Sequence, residues 1–458
     1  MNVNHTLLDP HSNTYRPGFG ESFRSLFYVL LPSESSFSDV SKVPNYIDAA
    51  LHPFIALILL EIVVGLWKGK RVMRINDGIS SLSAGTLSQL LKLVSAKSIE
   101  VSMYVYVYDK YSITNLPWDS AWLWIVTFLG VDFCYYWFHR GSHEINIFWA
   151  SHQTHHSSED YNLTTALRQS AIAGPIVMLF YLPLALFVPP PVYLVHKQFN
   201  LLFQFWIHTE IIDNLGPLEY ILNTPSHHRV HHGRNAYCID KNYAGTLIIW
   251  DRMFGTFVEE KSNEEIAYGH VHPINTFDPI FVQTGNLRHL VTRCWQTEGL
   301  WNKLCVVIKG PGWDVGKPWC GNPHDIPPIE KPIKRYNHDL PYWLSTYAVV
   351  HYLTLVPMYE SMMEARLMLP GYIIIMDVAY FLFSLSCLGF LFDNKAYARH
   401  VEFLRCIGCA LLLHMFRDNL QLSHHLPSTL FTALITIYVA SVVIWVVVLM
   451  YGSKKKLN

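Results

Sequence analysis

The sequence predicts an all-α protein, a polytopic membrane helix bundle with a histidine-rich cap on its cytosolic side. Three observations carry that expectation. The 458 residues are 51% hydrophobic and only 15% charged, against about 25% charged in ordinary soluble domains. Nine runs are apolar and near the ~20 residues that a helix needs to cross a bilayer. Eleven of the 24 histidines crowd into the fifth of the chain between His139 and His232.

The elements follow in order. The first forty-odd residues are polar apart from a short patch near 27–31. They lack the basic start and long apolar centre of a cleavable signal peptide, so the first span, 49–67, is expected to direct insertion. A second run covers 87–108, interrupted by Lys92, Lys97 and Glu100, and a third covers 118–138. Runs 171–188 and 191–207 read as a hairpin broken at Pro189, Pro190 and Pro191. Four more lie at 342–358, 370–391, 401–416 and 430–451. The chain then divides into an N-terminal lumenal segment (1–48), a membrane-embedded histidine-box domain (49–258), a cytosolic cap or linker (259–341) and a C-terminal four-helix membrane domain (342–458). The cap's close pair His270 and His272 reads as surface.

Charge sets the expected orientation. Lys68, Lys70, Arg71 and Arg74 follow the first span, and Lys454, Lys455 and Lys456 follow the last. Excess Lys and Arg mark cytosolic loops, so nine spans place the N-terminus in the lumen and the C-terminus in the cytosol. Asn4-His5-Thr6 is then a usable glycosylation sequon, and Asn162-Leu163-Thr164 a silent cytosolic one. Lys455 and Lys456 resemble a dilysine endoplasmic-reticulum retrieval signal; a plain basic stop after a helix would read the same. A net charge of −1 argues against a nucleic-acid partner. The eight cysteines lack framework spacing, which predicts no disulfide scaffold. Cys406 and Cys409 form a CxxC inside an apolar run and read as core packing.

The histidines are patterned. They fall in three boxes: His139 with His143, then His152-x-x-His155-His156, then His228-x-x-His231-His232. Residues three or four apart share a helix face, so each box can aim several imidazoles at one place. Imidazole suits iron or zinc better than magnesium or calcium. Eight such ligands are too many for one ion and enough for two, which makes the cap a di-metal cap. Each box stands at or just beyond the cytosolic end of a predicted span, where a lipid tail can reach.

At these boxes the sequence resembles the fatty acid hydroxylase superfamily of membrane di-iron enzymes. That group includes sterol desaturases, sterol methyl oxidases and fatty acid 2-hydroxylases. Its shared HxxxH, HxxHH and final HxxHH fall on the three boxes here. RNAYCIDKNY (234–243), LIIWDRMFGTF (247–257) and the four C-terminal spans are similar to the ether-lipid-cleaving members. The resemblance implies two iron ions, molecular oxygen and tetrahydrobiopterin. It implies hydroxylation of the ether-bearing carbon of an alkylglycerol or lyso-ether-lipid, giving a hemiacetal that collapses to a fatty aldehyde and a glycerol derivative. No residue pattern marks a pterin site. The histidines do not exclude a sterol or fatty-acyl hydroxylase or desaturase of the same superfamily. A membrane metal transporter is the rival of another kind, though transport sites lie mid-membrane.

The expected metal ligands are His139, His143, His152, His155, His156, His228, His231 and His232. His208, at the end of the fifth span, is a ninth candidate or a histidine hydrogen-bonded behind the ligands. His227 is expected on the wrong helix face, and His196 at the interface. Glu144 directly follows the first box and either supports a ligand or proton relay or is a solvated charge. Asp132 lies two turns before His139 inside an apolar span. A buried acid costs several kcal/mol unless paired, so a partner is expected. Trp250, Asp251 and Arg252 read as a packing and ion-pair motif.

Overall fold

Helix Ala121–Glu144 shows how sequence period sets the architecture. Trp122, Ile125, Val126, Leu129, Phe133 and Trp137 recur at helical spacing and are exposed, as a lipid-facing stripe requires. Leu123, Thr127, Val131, Asp132, Tyr136, His139 and His143 occupy the other face and are buried. One helix thus presents apolar surface outward and its histidines inward.

The computed structural model describes residues 15–94, 97–172, 174–366, 368–415 and 427–452. Among them there is no strand, only two isolated bridges, Leu222 with Leu247 and Gly233 with Tyr268. Among the described residues, four helices are long and apolar enough to cross a membrane: Val40–Trp67, Ala121–Glu144, Gly371–Phe392 and Ser428–Met450. The sequence had predicted nine spans, and local geometry explains the difference. Run 171–188 becomes an eight-residue helix, Gly174–Tyr181, followed by the 3-10 turn Leu182–Leu186. Eight residues reach ~12 Å at ~1.5 Å each, far short of the ~30 Å core. Run 191–207 is the 17-residue helix Pro190–Trp206, which buries His196, Asn200 and Gln204. Run 87–108 is divided between Ile75–Val94 and Lys97–Tyr111. The helices Tyr342–Ala365 and Ala398–Met415 carry His351, Glu402 and Arg405 in their interior faces. The odd span count that oriented the chain is therefore not reproduced. Asn4 and Lys454–Lys456 lie outside the described residues. Asn162 is buried, donates to the Val72 carbonyl at 3.1 Å and accepts from the Thr164 amide at 2.9 Å, so its side chain is already engaged.

The chain forms two units. The larger runs through Arg74, Ala84–Ile274 and Gln283–Arg335 and holds all three histidine boxes. Its core includes Leu26, Tyr46, Phe54, Val195, Phe199 and Phe205. The smaller gathers Ile75–Ser83, Asn275–Val282 and the chain from Tyr336 onward. Its core includes Tyr347, Leu388, Cys406, Cys409, Tyr438 and Trp445. Within it Arg405 and Glu402 form a fully buried ion pair at 2.6 Å.

Candidate metal centre

Five elements deliver the histidines. His139 and His143 lie on the last turns of Ala121–Glu144. His152 closes the helix Asn146–His152, and a turn at Gln153 and Thr154 leads into the 3-10 segment His155–Ser157. His208 follows Pro190–Trp206. The third box occupies Pro225–His232, which starts with a proline at its first position, where the absent N–H costs nothing.

Nine imidazoles converge in two groups, with the candidate ligand atoms of each group within 4.8 Å of one another. One holds His139, His143, His152, His156 and His231; the other holds His155, His208, His228 and His232. All are buried except His152, which is half-buried. Adjacent residues feed different groups: His155 and His156 separate, as do His231 and His232.

Hydrogen bonds on the far side of the rings fix their tautomers. His139 Nδ1 lies 2.7 Å from the Tyr243 carbonyl oxygen and His231 Nδ1 2.9 Å from that of Lys241. His208 Nδ1 meets the Gln204 carbonyl at 2.6 Å and His155 Nδ1 that of Arg168 at 3.3 Å. A carbonyl only accepts, so each Nδ1 bears the proton and each Nε2 presents a lone pair. Yet His155 Nε2 and His208 Nε2 stand 3.2 Å apart. Facing lone pairs at that distance repel, unless a cation lies between them.

The spacing fits such a cation. In the first group His139 Nε2 is 3.0 Å from His152 Nε2, and His156 Nε2 is 3.1 Å from His231 Nε2. In the second, His208 Nε2 is 3.1 Å from His228 and 3.2 Å from His232. Nitrogens at ~2.1 Å from one ion and at right angles are ~3.0 Å apart. His143 Nε2 is buried with no hydrogen-bond partner. Burial pushes His155 down to about 4 and His231 to about 3. The rings are neutral at physiological pH, the only form that can bind metal.

The surroundings are equally specific. Tyr243 and Trp149 close on the first group, with ring centroids 5.4 and 5.2 Å from His143. Asp132 is buried and accepts from the Thr246 and Leu247 amides, the Trp250 indole and the Asn200 amide, at 2.6–2.9 Å. These bonds tie down the segment whose Tyr243 carbonyl orients His139. Gly245 is required there, since a Cβ would lie 2.9 Å from Asp132 Oδ1. Glu144 pairs with Arg140 at 2.9 Å and remains partly exposed.

His227 joins neither group; it faces Thr224 Oγ1 at 3.4 Å and Glu219 at 3.9 Å. His196 packs on Trp124 and shares a hydrogen bond with Tyr28. His270 is not the surface residue expected, because its Nε2 donates to the Gln153 carbonyl at 2.7 Å behind the second box. Asp251 differs too: it takes the Tyr243 and Ala244 amides at 2.8 Å instead of an arginine. Sequence reasoning missed Tyr161, whose ring stacks on His208 at 5.6 Å. No spacing rule links it to the boxes.

Residues 124–256 match the family profile "Fatty acid hydroxylase", and residues 344–432 match "Alkylglycerol monooxygenase C-terminal domain". Alkylglycerol monooxygenase of Xenopus tropicalis is 53% identical over 84% of this chain and 86% of its own. That of Homo sapiens is 52% identical over 86% of this chain and 88% of its own. The Caenorhabditis elegans protein of that name is 36% identical over 97% and 89%. No solved structure matches. Helical fold, histidine groups and the match over 124–256 define a membrane oxidoreductase of the fatty acid hydroxylase superfamily. Within it, the chain belongs to the alkylglycerol monooxygenase family.

Proposed function

We propose that this chain is a tetrahydrobiopterin-dependent di-iron monooxygenase. Its substrate is an alkylglycerol or lyso-ether-lipid, hydroxylated on the ether-bearing carbon. The hemiacetal then collapses to a fatty aldehyde and a glycerol derivative. The observation that carries the reading is the pair of imidazole groups with opposed lone pairs, in a chain of this family. His139, His143, His152, His156 and His231 would hold one ion, and His155, His208, His228 and His232 the other. When bound, the irons supply oxygen activation and hydrogen abstraction from a C–H bond. A C–H bond beside an ether oxygen is the weakest along the chain's head end, which favours attack there.

The protein's own part is to bind, orient and keep water out. The carbonyls of Arg168, Gln204, Lys241 and Tyr243 aim four imidazoles inward. Asp132 acts as a positioning residue through the segment it clamps. Glu144, paired with Arg140 one turn earlier on the same helix, reinforces the last turn that carries His143. An alkyl tail gains ~0.8 kcal/mol per buried CH₂, enough for an apolar path among the helices to hold it. The same reading takes 49–258 as the oxygenase part, 259–341 as a cap and 342–458 as a C-terminal membrane part. It places the enzyme in the endoplasmic-reticulum membrane with the metal site toward the cytosol, on the strength of the basic residues after the first span.

The test is to incubate membranes carrying the chain with an alkylglycerol and oxygen, with and without tetrahydrobiopterin, and to measure fatty aldehyde and iron per chain. Aldehyde formation strictly dependent on the pterin is the expected result. Turnover of a sterol with cytochrome b5, and none of the ether lipid, would overturn it.

A further inference from the structure

The stretch between the two family profiles, 257–343, is matched by neither, and its middle part is amphipathic. Helix Pro279–Gln296 turns Leu287, Val291 and Trp295 outward at intervals of four. Helix Leu300–Ile308 adds Leu300, Trp301 and Leu304. All six side chains are exposed, Trp295 to 85% and Leu300 to 87%. The two helices adjoin, with Cys294 Sγ 3.8 Å from the Lys303 carbonyl oxygen. The exposure is therefore one patch and not a scatter of single residues. Beside it, Leu290, Cys294, Cys305 and Val306 turn inward and pack with Ala150 and Trp313. Arg288, His289, Thr292 and Gln296 take the remaining side and are exposed. One side of the first helix thus rests on protein, one is bare and apolar, and one is polar.

Hydrogen bonds set the level at which this hairpin lies. The Asn146 amide donates to the Lys309 carbonyl at 2.8 Å, and Asn146 Nδ2 to that of Val306 at 2.9 Å. The Trp319 indole donates to the Glu144 carbonyl at 2.6 Å. Glu144 is the last residue of the membrane-length helix Ala121–Glu144, so the hairpin is docked at the end of a span. That end carries exposed Trp137 with Arg140 over its ring at 5.5 Å. Lys309 Nζ lies 4.9 Å from the Trp313 ring and 5.8 Å from that of Trp319. Tryptophans beside cations at the end of a span mark the head-group layer.

We propose that 287–304 is a membrane-surface element, lying in the plane of the bilayer with its six apolar side chains among the head groups and first acyl carbons. The partner of the bare face is the lipid surface itself. Helix Leu300–Ile308 has nine residues and reaches ~14 Å at ~1.5 Å each, too short for the ~30 Å core. An amphipathic helix of this kind settles ~5–10 Å into the boundary layer, where tryptophan is favoured. Arg288 and Lys303 border the apolar stripe at helical spacing. Their long stems can lie along it while the charges meet lipid phosphates. The inference goes beyond the monooxygenase reading and does not depend on which lipid reacts. It makes this part of the cap membrane-bound on its own account. Through Asn146, Ala150 and Val306 it also ties the helix that ends at His152 to the bilayer surface.

The experiment compares full-length wild type with the double variant Trp295→Phe, Trp301→Phe in phosphatidylcholine nanodiscs. The chain has 14 tryptophans, so the difference between the two emission spectra isolates the pair replaced. Nanodiscs are made with plain lipid, with lipid brominated near the head group and with lipid brominated near the chain end. Iodide in the buffer serves as the opposing quencher. Bromine near the head group is expected to lower the difference emission at least twofold, chain-end bromine less, and iodide hardly at all. Strong quenching by iodide with none by bromine would place the stripe in water and overturn the proposal. Quenching by neither would mean that protein, such as a second copy of this chain, covers the face, and would overturn it too. Stronger quenching by chain-end bromine would mean deep insertion and would overturn the in-plane placement. Where the double variant fails to fold, Trp295→Phe alone gives the same subtraction for the more exposed ring.

Discussion

The histidine centre of the larger unit and the polar network of the smaller one both bury metal-ligating side chains, and they reach opposite chemical states. In the first, ring protons are spent on backbone carbonyls and the inward nitrogens face one another with nothing to accept. In the second, His351, Glu402 and Cys406 also lie close enough to hold an ion. There, however, Arg405 already occupies the centre. Its guanidinium donates to both Glu402 oxygens and to His351 Nδ1 at 2.8 Å, while His351 Nε2 faces Ser441 Oγ at 2.8 Å. No imidazole lone pair is left over. Proximity of ligand types does not make a metal site. The direction of the hydrogen bonds behind them decides whether a cation is wanted or already supplied by the chain.

That contrast can be broken at several points. The largest effect is expected from His155→Ala or His231→Ala, one in each imidazole group. Either should abolish aldehyde formation and lower iron per chain while membrane insertion stays normal; full turnover in both would remove the ligand assignment. Next comes the network. Arg405→Leu strands the Glu402 carboxylate and should cost about 3–5 kcal/mol, whereas Arg405→Leu with Glu402→Leu should be neutral or better. Unfolding in detergent measures both, and iron per chain should equal wild type in the double variant. A fall in iron there would show that the network binds metal after all.

A smaller effect is expected at Asn242. It holds the loop behind His231 by donating to the His227 and Val258 carbonyls and accepting the Val258 amide, at a positive φ of 54°. Asn242→Ala should weaken iron binding by about tenfold, as loss of outer support does, measured by chelator competition. The smallest concerns pH in metal-free protein. Unfolded histidines take protons near 6.5, while His155 and His231 resist to about 4 and about 3. Their contribution to stability is therefore complete above about pH 6.5 and is lost as pH falls through about 4 for His155 and about 3 for His231. The thermal midpoint of the metal-free protein should drop across that window, and a flat profile would contradict the neutral-ring picture.

Much of the centre was legible because helical spacing is a local property. His139 and His143 needed only a period of 3.6 to share a face, and they do share one group. The HxxHH boxes were legible as ligand sets but not in their partition. In each, the first and last histidines enter one group and the middle one the other. That division depends on the angle at which separate elements meet, which no spacing records. Asp132 advertised its need for partners by lying in an apolar run, but the partners lie more than sixty residues away. The span count failed for a related reason. Hydropathy registers apolar composition, and a helix such as Pro190–Trp206 is apolar because it is buried in protein.

By itself, then, the chain's order of residues determined that it is helical, membrane-bound and able to gather imidazoles, since those follow from period and composition. Tertiary packing alone decided which nitrogens face each other, that His208 completes the second group, and that Tyr161 stacks on it. The physical reason is that coordination and ring stacking act over a few ångströms between segments far apart in sequence, and only folding sets those distances.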